Sequence, residues 1–128
     1  MAAPLLIDTD VLIDYLRGQA DAVAFLKKTR RKLRVSAATV AELCVGVREG
    51  AEREVLDRFL GLLETVDITP DIARRAGLWR RDFGKSHGTG LMDALIAPSA
   101  EFSGSTVVTL NDRHYPMLES VLVPYRKS

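Results

Sequence analysis

Apolar and polar positions along the chain form short β-rich runs separated by longer stretches of helical spacing. Residues 4–8, PLLID, predict a buried strand. Val11, Leu12, Tyr15 and Leu16 then recur at helical spacing as far as Gly18, and a second helix over about 20–31 carries Val23, Phe25 and Leu26. Residues 33–36 read as a second strand, followed by an apolar stripe of Val40, Leu43, Cys44 and Val47 that stops near Gly50. Val55, Leu56, Phe59, Leu60 and Leu63 mark the next helix, and residues 65–68, TVDI, a third strand. Thr69 as cap and Pro70 as first-turn residue open a helix that should fade near Gly84. Beyond it GKSHGTG reads as a loop, Leu91 to about Phe102 as a helix, SGS as a turn, and residues 106–110, TVVTL, as a fourth strand. VLVPY fits a fifth strand at the sheet edge, where Pro124 is tolerable.

Strands separated by helices pair in parallel only if each crossover covers a face of the sheet. The expected fold class is therefore α/β, a three-layer α/β/α sandwich with a central parallel sheet of four to five strands. At 128 residues and 47% hydrophobic content the chain fits one domain, residues 1–128, with neither an internal repeat nor a linker. Sheets of this kind bind ligands at the carboxyl ends of their strands. In LLIDTD, Asp8 and Asp10 stand at such an end, directly after three aliphatic residues.

Charge changes the picture locally rather than globally. Eighteen basic residues against seventeen acidic ones leave a net charge of +1, which provides no overall field for a nucleic acid or a membrane. No secretory signal opens the chain and no run approaches the ~20 apolar residues of a membrane span, so a cytoplasmic protein without membrane contact is expected. The single cysteine, Cys44, lies among alanines and valines and reads as a buried apolar residue in a reducing compartment.

Against that balance three acids stand out. Glu42 is the only charged residue between Val35 and Val47, and Asp93 the only one between Gly88 and Ala100. A buried ionised carboxylate costs several kcal/mol unless it is compensated, so each must reach solvent, be protonated or face a cation. Convergence of Asp8, Glu42 and Asp93 on one shared cation answers all three needs. Oxygen ligands without cysteine or histidine spacing suit magnesium, with manganese able to substitute, rather than zinc. Asp93 gains further from the positive end of its helix. Magnesium points to phosphate chemistry, in which a metal-activated water attacks phosphorus and the departing oxygen is stabilised.

The segments LLIDTDVLIDYLRG, SAATVAELCVGV, LMDALIAPSA and VVTLNDRHYPML resemble those of the PIN-domain nucleases, and among them the VapC-type toxins of toxin–antitoxin pairs. The likeness covers nearly the whole chain. It implies a PIN-like fold and magnesium-dependent hydrolysis of RNA phosphodiesters, with Asp8, Glu42 and Asp93 as catalytic acids and Asp8 and Asp93 as the metal ligands. Many relatives place an aspartate where His114 stands; the nearest acid here, Asp112, is the candidate fourth catalytic residue, the alternative being a water in place of that acid. Asp10, Thr109 and Asn111 match positions with supporting roles. The resemblance further implies an RNA substrate, a VapB-type antitoxin partner and a homodimer.

Plainer readings accompany these. Asp10 is also suited to cap a helix beginning at Val11. The run from Lys27 to Arg34, with six basic residues in eight, fits an RNA backbone or a solvated helix end, as do Arg74, Arg75, Arg80, Arg81 and Lys85. His87 and His114 read as loop and packing histidines, and Trp79 as core or interface. GKS is not a phosphate loop, because Trp79 occupies the place of its first glycine. Two other functions remain open: a haloacid dehalogenase-like phosphatase in which Asp8 attacks phosphate, though Leu12 replaces the threonine or valine it wants, and a non-catalytic module binding RNA or protein.

Overall fold

The computed structural model describes residues 2–127. Four short strands, β1 (Leu5–Ile7), β2 (Leu33–Ser36), β3 (Glu64–Val66) and β4 (Thr106–Val108), form one parallel sheet in the order β3-β2-β1-β4. Leu5 stands opposite Leu33 on one side and Thr106 on the other, which makes β1 a central strand. Successive side chains of a strand point to opposite faces, so Leu5 and Ile7 enter one core while Leu6 enters the other. Each is fully buried, a gain of about 1.5–3 kcal/mol per side chain.

Among the described residues six α-helices fill the crossovers. The Leu5–Ile7 face packs on α1 (Thr9–Leu16), α2 (Ala20–Lys28), α3 (Ala37–Val45) and α4 (Ala51–Leu60) through Val11, Leu12, Leu26, Leu43 and Leu56. The Leu6 face packs on α5 (Pro70–His87) and α6 (Leu91–Ser103) through Trp79, Ile96, Ala97 and Ala100. This is the three-layer α/β/α sandwich expected from the alternation.

Several boundaries differ from expectation, each for a local reason. Strand β1 ends at Ile7 because Asp8 is already the cap of α1: its backbone is extended and its carboxylate accepts from Thr9 N at 2.7 Å. The helix thus begins at Thr9, two residues before Val11, and Asp10 lies within its first turn. α2 stops at Lys28 and α3 at Val45, ahead of the expected 31 and Gly50. Helix α5 continues through Gly84 to His87, so Lys85, Ser86 and His87 are helical rather than part of a loop. One interior glycine costs only about 1 kcal/mol against a long helix, and the stop comes at Gly88, whose φ of 66° is the left-handed conformation glycine accepts freely.

β3 and β4 end two residues earlier than expected. The fifth strand reduces to a single parallel bridge between Val108 and Leu122, and Pro124 has no N–H with which to extend it. Cys44 is exposed, not buried, because the inward stripe of α3 runs through Ala38, Thr39 and Leu43. No helix among the described residues is long and apolar enough to cross a membrane.

Candidate active site

In a parallel sheet the helices run back against the strands, so the start of α6 lies at the same end of the sheet as the residues that follow β1 and β4. Asp8, Thr109 and Asp93 therefore come from sequence-distant segments to one place. Asp8 is buried, 6% exposed. Its Oδ1 takes the Thr9 N–H, and its Oδ2 accepts from the hydroxyls of Thr109 at 2.7 Å and Tyr115 at 2.9 Å. The Tyr115 hydroxyl also stands 3.5 Å from Asp93 Oδ1, so one phenol oxygen touches both carboxylates. Asp93 Oδ2 reaches back to the N–H of Gly90 at 3.0 Å, holding the first turn of α6, and lies 3.3 Å from His114 Nδ1.

The donors to Asp8 are neutral hydroxyls and an amide. Burial, together with the nearby charges of Asp10 and Asp93, raises the Asp8 carboxyl from its ordinary 3.8 to about 7, against the lowering effect of the Thr109 and Tyr115 hydroxyls. The same burial, with Asp8 close by, pushes the Tyr115 phenol well above its usual range, so it remains a proton donor. Asp10 is also raised, by burial first, although N–H groups of Leu110 and Val11 and the Asn111 amide restrain it. Its Oδ1 accepts from Val11 N at 2.7 Å, and its Oδ2 from Leu110 N at 3.0 Å and Asn111 Nδ2 at 2.9 Å. Asp10 thus fastens the loop after β4 to α1. Thr109 Oγ1 in turn accepts from Asn111 N at 3.0 Å, so this loop and the Asp8 carboxylate are held by one chain of hydrogen bonds.

Glu42 stands apart from the pair. It lies on the exposed side of α3, and its carboxylate accepts from the Thr9 hydroxyl at 2.6 Å, which is itself 3.0 Å from the Thr39 hydroxyl. It is linked to Asp8 through the adjoining residue Thr9. Asp112 opens the 3-10 turn Asp112–His114, is exposed, and faces Arg126 at 3.9 Å. Among the described residues no hydrogen bond joins Asp112 to Asp8 or Asp93. Its carbonyl accepts the Tyr115 N–H, so its place in the structure is to close the turn that sends Tyr115 inward. Sequence reasoning passed over Tyr115 and Thr9. The available signal was a polar-tipped aromatic following the asparagine loop and a threonine between two acids.

The basic run divides. Arg31 donates to Ala3 O and Thr106 Oγ1, Arg34 to Ser103 O, and Lys32 pairs with Glu64, all at the amino ends of the strands, opposite the acids. On α5, Arg74 pairs with Asp71 and Arg81 with Asp82, while Arg75 lies over the Trp79 ring.

The donor set fits a hard divalent cation. A buried carboxylate with only neutral partners and two further acids near it is electrostatically incomplete, and oxygen is the ligand magnesium prefers. Among the described residues no three His, Cys, Asp or Glu side chains gather into a ready-made cage. The fit therefore rests on Asp8 and Asp93, and magnesium typically keeps several waters and takes only one or two carboxylates.

Residues 5–117 match the PIN domain. Over 124 residues, 94% of this chain and 92% of the relative, the sequence is 40% identical to ribonuclease VapC10 of Mycobacterium tuberculosis. It is 35% identical to ribonuclease VapC19 of the same organism, over 94% of this chain and 98% of that one. The backbone superposes with a TM-score of 0.82 on a chain of a toxin-antitoxin complex from Klebsiella pneumoniae, at 25% identity and covering 96% of this chain and 99% of that one.

Proposed function

The chain belongs to the PIN-domain family, and on that premise we propose that it is a magnesium-dependent endoribonuclease, the toxin of a VapBC-type toxin–antitoxin pair. The observation that carries the reading is the meeting of Asp8 and Asp93 at one hydroxyl, with no lysine or arginine paired to either among the described residues. Asp8 and Asp93 would hold the ion, with manganese able to replace magnesium. When bound, the ion supplies a water of lowered pKa as nucleophile and offsets charge on the phosphoryl oxygens.

The chain's own residues arrange what surrounds that chemistry. Thr109 fixes Asp8, the Gly90 N–H fixes Asp93, and Asp10 with Asn111 holds the loop between them. Glu42, which accepts from the hydroxyl of Thr9, the residue next to Asp8 in sequence, would accept a proton or orient a water. The RNA is cut by water and no covalent adduct forms on the protein. The phosphatase alternative has Asp8 as nucleophile, but its Oδ2 already takes two hydroxyls and its Oδ1 the helix amide. The partner that restrains the enzyme is a VapB-type antitoxin, the protein works as a homodimer, and its place is the cytoplasm, where its RNA is.

The test compares the wild type with Asp93→Asn on structured RNAs in magnesium, manganese or a chelator. Loss of cleavage in the variant and in chelator is expected. Cleavage that survives both would refute the reading, and a phosphoaspartyl adduct on Asp8 would support the phosphatase instead.

A further inference from the structure

Resting on that nuclease reading, we propose that Tyr115 is a positioning residue for the reaction, its hydroxyl setting the separation and facing of the Asp8 and Asp93 carboxylates. Three observations carry this. The ring is 2% exposed and packs with Leu6 of β1, Ile96, Ala97 and Ala100 of α6, and Val107 of β4. These are the elements that bring the two acids together, so the phenol oxygen is fixed relative to both. That oxygen then meets Asp8 Oδ2 at 2.9 Å and Asp93 Oδ1 at 3.5 Å. A phenol has one proton, which goes to Asp8 at the shorter distance, and Asp93 faces the same oxygen at the longer one.

The third observation is how the segment bearing the ring is secured. The Thr89 hydroxyl donates to His114 O at 2.7 Å, the Tyr115 N–H donates to Asp112 O at 3.0 Å, and His114 Nδ1 lies against the other oxygen of Asp93. Two consecutive residues therefore touch both oxygens of Asp93. A tyrosine present only for packing needs some partner for its hydroxyl; here the partners are the two site carboxyl groups themselves. Phenylalanine fills the same apolar space and lacks only the oxygen, so the hydroxyl is the part that acts on the site.

Tyr115→Phe tests this. The measurements are Mn2+ binding by the protein without RNA, thermal melting in chelator, and single-turnover RNA cleavage across a manganese titration. The expected variant melts cooperatively near the wild type and binds Mn2+ about 10–100-fold more weakly. Its cleavage recovers when manganese is raised, a shift in metal requirement more than in maximal rate. Unchanged Mn2+ affinity overturns the proposal. So does loss of cooperative melting, since the hydroxyl would then belong to the fold and not to the site. Asp93→Asn, measured alongside, separates the two levels. If it too binds Mn2+ like the wild type, the metal site itself is refuted; if it loses Mn2+ while Tyr115→Phe does not, only the role of Tyr115 falls.

Discussion

Asp8 and Asp14 lie six residues apart around one short helix, are both 6% exposed, and each accept a hydrogen bond from a tyrosine hydroxyl. Their electrostatic fates are opposite. Burial pushes both carboxyls up, but at Asp14 the Lys127 ammonium at 2.9 Å and the Tyr125 hydroxyl at 2.8 Å outweigh it, and the group ends below its ordinary value. At Asp8 the neighbours are Asp10 and Asp93, which add to the effect of burial, and the group rises to about 7. The fold thus supplies a cation to the aspartate that ties the carboxyl-terminal segment to α1. It leaves the aspartate at the strand ends without one. Equal exposure does not make two acids equivalent: Asp8 lies far deeper among protein atoms than Asp14, and only Asp14 is given a cation by the described residues.

The largest expected effect breaks the comparison on the Asp8 side. Asp8→Asn should lower single-turnover RNA cleavage at saturating magnesium by at least ~100-fold, and chelation of the wild type should do the same. Asp14→Ala should instead lower stability by about 1–3 kcal/mol, read as an earlier urea midpoint, while cleavage per folded molecule stays near the wild-type rate. Partial exposure of Lys127 keeps this below the cost of breaking a fully buried pair. An Asp14 variant that folds normally yet cannot cleave would show the two acids to be parts of one site.

A pH series sharpens the same contrast. With a folded pKa raised from 3.8 to about 7, Asp8 binds more protons in the folded state than in the unfolded one across that interval. Its contribution to stability therefore falls as pH rises from about 4 to 7 and stays low above it. Asp14, lowered in the fold, contributes stability above the unfolded value that is lost on acidification below it. In urea melts with chelator, Asp8→Asn should gain on the wild type between pH 5 and pH 8, by a few kcal/mol at most, and saturating magnesium should narrow the gap. A gap independent of pH would remove burial of charge as its cause. The smallest effect is expected from Asp112→Asn, whose exposed carboxylate faces Arg126: stability within about 0.5 kcal/mol and cleavage within about threefold. A large loss of cleavage would show Asp112 to be part of the catalytic set.

Much of this was legible in the sequence because it is encoded over a few residues. Alternating strand and helix periods specified a parallel sheet with both faces covered, Thr69 and Pro70 marked the start of α5, and acids without nearby bases marked Asp8 and Asp93. What needed the tertiary structure concerns groups that meet from far apart. That Asp8 and Asp93 share a hydroxyl, that this hydroxyl belongs to Tyr115, that Glu42 reaches Thr9 and not the pair, and that half of the basic run lies at the opposite end of the sheet all depend on how packed elements orient their side chains. A helix period repeats every 3.6 residues and leaves its mark in any short window, whereas the facing of two side chains about a hundred residues apart is set only when both cores close.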